Sequence, residues 1–112
     1  NSAEWKIENE GFAVLQGERE AKRVSGHFEM KIKKGEVFGV RGFDKKFYVI
    51  SSYLYDKISP KVCQVLSLKD LPLQELLVKT AIDKSLAIAA IQVLRDKGEV
   101  IEKKNGLYCL VK

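Results

Sequence analysis

The chain has 112 residues, 46% hydrophobic and 31% charged, with 20 Lys and Arg against 15 Asp and Glu for a net charge of +5. That composition belongs to an ordinary soluble globular protein, of one domain or two very small ones, and excludes a disordered chain. No apolar run approaches the ~20 residues of a membrane span, and no signal peptide is visible. The cation excess favours polyanions, because each phosphate contact releases counterions, although a lysine-rich surface serves solubility equally well.

With Asn rather than Met at its start, the chain is expected to be a fragment or a processed product. Its first fifty residues read as strands. Trp5–Ile7 and Phe12–Gln16 flank the turn-rich Glu8-Asn9-Glu10-Gly11, and Phe28, Met30 and Ile32 alternate with charged residues at a period of two. Val37–Arg41 and Phe47–Ser51 follow as further strands, on either side of Asp44-Lys45-Lys46. The expectation is an antiparallel β meander over residues 1–52, giving way to a helical region over 53–112. Neither an internal repeat nor a low-complexity segment stands out.

Ser59-Pro60 reads as the N-cap and first residue of a helix striped by Val62, Val65 and Leu66. Pro72 opens a second helix with Leu73, Leu76, Leu77 and Ala81 facing inward. Asp83 is placed to cap a third, in which Ala87, Ala90, Ile91 and Leu94 recur at helical spacing until Gly98 supplies a positive-φ stop. Val100 begins a strand, Lys103-Lys104-Asn105-Gly106 turns it, and Leu107–Val111 returns. Asn105-Gly106 suits a type I′ turn.

Helix, helix, helix and β hairpin in that order resemble a winged-helix domain over residues 60–112, which makes the expected fold class α+β. The N-terminal half resembles no family. In DNA-binding winged helices the third helix enters the major groove and its outward face reads base edges. The outward face here carries Lys84, Ser85, Ile88, Ala89, Gln92 and Arg95, flanked by Leu86 and Val93. Lys84, Ser85 and Gln92 are the residues able to read bases, and Lys103 and Lys104 are placed to grip phosphates from the wing tip. Leu86, Ile88, Ala89 and Val93 are too apolar for base readout. They imply ordinary core, a docking face for a protein partner or second copy, or groove insertion, and the sequence leaves the three open.

No catalytic constellation emerges. His27 is the sole histidine, and the Glu8/Glu10 and Glu18/Glu20 pairs fall on turns or charged segments where nothing would shift a pKa. Gly35, Gly39 and Gly42 lack the helix N-terminus that a phosphate-binding loop needs. Cys63 and Cys109 sit among apolar neighbours and read as buried free thiols of a reducing compartment, with no second ligand at a metal spacing. The reading is a non-enzymatic, cofactor-free module of DNA or RNA machinery, cytoplasmic or nuclear, binding duplex nucleic acid with low sequence specificity. The alternative is an assembly subunit docking through the third helix, as winged helices do in transcription, replication and membrane-remodelling complexes. A weaker option is the substrate-docking part of a larger enzyme. Lys31, Lys33, Lys34, Lys45 and Lys46 could extend the basic surface across the sheet, with no aromatic residue clearly interleaved.

Overall fold

A computed structural model describes residues 2–111 as two compact units that meet in sequence at Asp56 and Lys57. Among the described residues there are helices and small antiparallel sheets in both units, so the chain is mixed α+β.

The first unit runs α1 (Ser2–Glu10), β1 (Phe12–Leu15), α2 (Glu18–His27), α3 (Glu29–Lys33), β2 (Val37–Arg41) and β3 (Phe47–Ser51). Its sheet has the order β1-β3-β2, with Ala13 opposite Val49 and Gly39 opposite Val49 from the other side. The expected meander is therefore corrected. Strands β1, β2 and β3 lie where the sequence placed them, but Trp5–Ile7 belongs to a helix and Phe28–Ile32 falls on the junction of α2 with α3 and on α3 itself. Two sparse helical stripes carry these segments: Ala3 and Ile7 on α1, then Ala21, Val24 and Phe28, all packed with Leu15, Val37 and Val49 in the unit's core. The alternation at Phe28, Met30 and Ile32 marks no buried sheet face. Phe28 is buried while Met30 is 62% exposed.

Gly11 ends α1 at φ 85°, with its N–H reaching the carbonyls of Lys6 and Ile7. Only glycine adopts that left-handed geometry without strain. The sequence had this glycine in a hairpin turn; it is instead a helix stop that leads straight into β1.

The second unit takes most of α4 (Ser52–Leu68), then β4 (Leu71–Pro72), α5 (Leu73–Thr80), α6 (Lys84–Asp96), β5 (Val100–Glu102) and β6 (Leu107–Leu110). The helix expected to start at Pro60 starts eight residues earlier. The Ser51 hydroxyl accepts the Leu54 N–H at 3.1 Å and caps it, and Pro60 lies inside. A proline there lacks the amide that would bond the Asp56 carbonyl, and tertiary packing tolerates the loss. The sheet order is β4-β6-β5. Helix, strand, helix, helix, strand, strand thus occurs twice, with the last strand central both times. No sequence repeat betrays it.

Two local expectations in this unit also need correction. Ala81, placed on the inward face of α5, instead sits exposed at φ 56° in the turn to α6. The Asp83 carboxylate makes no capping bond; its backbone carbonyl accepts the Ala87 N–H at 2.8 Å. Gly98 does stop α6, at φ 76°.

Candidate nucleic-acid interface

Helix α6 is where the sequence placed base reading. Its apolar stripe at Ala87, Ala90, Ile91 and Leu94 is buried as expected, but so are Ile88, Ala89, Gln92 and Val93. The outward positions expected of Ile88, Ala89 and Gln92 are corrected, and Ile88, Ala89 and Val93 take the core alternative left open above: Ala89 is wholly buried and Gln92 only 6% exposed. In this conformation Gln92 has no access to a base edge, and the Nε2 of its amide lacks a hydrogen-bond partner among the described residues. Leu86 and Ser85 are half-buried, and Lys84 is exposed at the start of the helix. Arg95 is held by Glu102 at 3.4 Å. What α6 offers to solvent is therefore its two ends, Lys84 at the start, where the helix dipole favours anions, and Asp96 at the finish.

The hairpin between β5 and β6 forms where expected, with a different turn. The Gly106 N–H bonds the Lys103 carbonyl at 2.9 Å and the Lys103 N–H bonds the Leu107 carbonyl at 2.8 Å. Gly106 alone of the turn residues has positive φ, 81°, which gives a type I turn followed by a left-handed glycine rather than type I′. The Asn105 side chain accepts the Leu107 N–H at 3.3 Å. The two wing-tip lysines then part in character. Lys103 Nζ lies 2.6 Å from the Asp70 carboxylate, whose hydrogen bond and charge push the ammonium pKa up. Lys104 is exposed at the tip.

The hairpin between β2 and β3 repeats the geometry. The Gly42 N–H bonds the Lys46 carbonyl at 2.8 Å, the Lys45 N–H bonds the Gly42 carbonyl at 3.0 Å, and Lys45 takes the left-handed position at φ 67°. Within the turn, the Tyr48 hydroxyl donates to one Asp44 oxygen and the Lys46 N–H donates to the other. Burial works to raise the Asp44 carboxyl, but the Tyr48 hydrogen bond, the Lys46 amide and the Lys46 charge outweigh it and hold the pKa below the ordinary value. Burial, the same hydrogen bond and the Asp44 charge push the Tyr48 phenol well up. The tip exposes Arg41, Phe43, Asp44, Lys45 and Lys46, with the Asp44 carboxylate engaged by Tyr48 and the Lys46 amide. The lysines are readily legible as a basic patch in the sequence, whereas the exposed aromatic is not. Its signal was the spacing Arg-Gly-Phe-Asp-Lys-Lys, in which Phe43 falls on the turn rather than on a strand face.

Elsewhere the chemistry is sparse. Cys63 and Cys109 are free thiols, half-buried rather than buried, and burial together with the Glu99 charge raises the Cys63 pKa. Among the described residues no group of three or more His, Cys, Asp and Glu is arranged to hold a metal ion, and no helix is long and apolar enough to cross a membrane. No family model matches the chain, and no curated protein or solved structure resembles it at a significant level.

Proposed function

We propose that residues 57–112 form a winged-helix module that binds duplex nucleic acid with low sequence specificity and carries out no catalysis. The order α4-β4-α5-α6-β5-β6, with β6 between β4 and β5, supports the winged-helix reading. Because the first unit has the same order, the chain reads as a tandem of two such modules.

One observation carries the low specificity. The residue best suited to read a base edge, Gln92, is buried, whereas Lys84 and Lys104 are exposed. Cations without base-reading partners position a backbone and carry no sequence information. Docking through Leu86, Ile88, Ala89 and Val93 is the poorer reading, since the last three are buried.

Anisotropy titrations with two unrelated labelled duplexes test this directly. Lys104→Ala should weaken both to the same extent and reduce the log–log salt slope by roughly 0.9, the loss of one phosphate contact. Lys103→Ala should do less, since its ammonium already serves Asp70. An unchanged affinity and slope in Lys104→Ala, or a strong preference for one duplex, would overturn the proposal.

A further inference from the structure

The β2–β3 tip presents an unusual combination for a surface turn. Phe43 is 51% exposed, with exposed Arg41, Lys45 and Lys46 around it in sequence and Asp44 as the single carboxylate of the turn. A large aromatic on a turn costs solubility and does nothing for a core it never reaches. This turn is also rigidly built. Two backbone bonds close it, Asp44 is tied to Tyr48 and Lys46, and a side chain on Gly42 would come within 2.6 Å of the Tyr48 ring. The backbone that carries Phe43, Lys45 and Lys46 is therefore fixed before any ligand arrives, and Arg41 lies 3.8 Å from the exposed Glu18 carboxylate, an ion pair that a phosphate would have to displace.

Next to the tip along β2, the Arg41 guanidinium lies 4.9 Å from the centre of the Phe47 ring. Arg41 and Phe47 also line a groove of about 760 Å³ in this unit, with Leu15 and Val49 among its apolar residues, Lys22 and Lys33 as further cations, and Glu18 and Glu29 as the carboxylates paired with Arg41 and Lys33. A cleft of that size holds a small planar group. Gly39, also lining it, has nothing within 4 Å of where a side chain would begin, so the strand leaves this part open.

Resting on the nucleic-acid reading above, we propose that the first unit binds single-stranded nucleic acid, one base stacking on Phe43 and the backbone following Arg41, Lys45 and Lys46 toward the groove over Phe47. Aromatic rings joined to cations are what a single strand needs, because its bases have free π-faces and its phosphates run alongside. In a duplex those faces are already stacked on one another. A lipid surface is the poorer occupant, since one ring with no second exposed apolar residue in the turn gives little to bury in a bilayer.

The full chain is titrated with a fluorescein-labelled oligo-dT of about twelve nucleotides, with a duplex of equal length and with phosphatidylcholine–phosphatidylserine vesicles. Phe43→Ala should weaken oligo-dT binding about 5- to 150-fold, the value of one stacked base, and leave duplex affinity within about twofold. Phe43→Trp should restore the affinity, and its indole emission should be quenched by oligo-dT above the change seen for Trp5 in the parent. Equal oligo-dT affinity in parent and Phe43→Ala, or no oligo-dT binding by the parent, overturns the proposal. So does Phe43-dependent vesicle binding without oligo-dT binding. Dependence of oligo-dT on Phe43 with no dependence of duplex on Lys104 would sustain this site and refute the duplex reading.

Discussion

Replacing Ile88 by Asp puts a carboxylate at a position only 3% exposed, within the buried run Ala87–Leu94. Two costs follow. Losing the burial of a full aliphatic side chain costs about 2 kcal/mol. The new group must then be buried ionised or be neutralised, and bringing an ordinary Asp, pKa ~3.9, to its neutral form at pH 7 costs about 4 kcal/mol. Neutralisation sets a ceiling on the charge penalty, so the total is about 6 kcal/mol, within the ~5–15 kcal/mol that holds a domain together. The folded-state pKa of this Asp is raised above its unfolded value. The charge part of the penalty is therefore absent below pH ~4 and grows as the pH rises, by about 1.4 kcal/mol per unit, while the burial part stays at every pH. Thermal and urea unfolding of Ile88→Asp and the parent, followed by circular dichroism between pH 5 and 7, read both effects. Ile88→Val, which removes one methyl group and adds no charge, should cost about 0.5–1.5 kcal/mol at every pH. An Ile88→Asp protein with the parent's midpoint at pH 7, or with a deficit that does not change with pH, would show that this face of α6 is open to water. The docking reading would then return in place of the core assignment.

The β2–β3 tip makes two further predictions. Gly42→Ala should destabilise the protein by about 1–3 kcal/mol, because its new methyl group meets the buried Tyr48 ring at 2.6 Å and the Asp44 carboxylate at 2.7 Å; scanning calorimetry showing no loss would mean that the ring moves aside freely. Tyr48→Phe should cost about 1.5–3 kcal/mol at neutral pH by removing a hydrogen bond to a carboxylate. Asp44 has a lowered folded-state pKa, so its contribution is present above the unfolded value and lost as the pH falls through the folded one. The gap between Tyr48→Phe and the parent should accordingly narrow below pH ~4, and a gap independent of pH would separate the hydroxyl from the Asp44 charge.

Much of the second unit was legible in the sequence because its signals are local. Pro72 just before α5, the stripe Ala87-Ala90-Ile91-Leu94, the stop at Gly98 and the turn ending in Gly106 each act over a few residues, and each lies where its chemistry put it. Strands β1, β2 and β3 were legible for the same reason. The first unit's helices were not. Their stripes hold two or three apolar residues apiece, Ala3 with Ile7 and Ala21 with Val24 and Phe28, among charges that dilute the period. A chance alternation at Phe28, Met30 and Ile32 then outweighed them.

Sequence by itself determined which residues of α6 are apolar and how they are spaced. It did not determine which of them meet water, because Ile88, Ala89 and Val93 make the far side of the helix apolar as well, and a period of 3.6 has no meaning once both faces qualify. Burial belongs to the folded chain, and it closed that face over Gln92. The same holds for charge. Lys103 and Lys104 are adjacent and equivalent in sequence, and only tertiary structure brings Asp70, thirty-three residues away, to one of them and leaves the other at the tip.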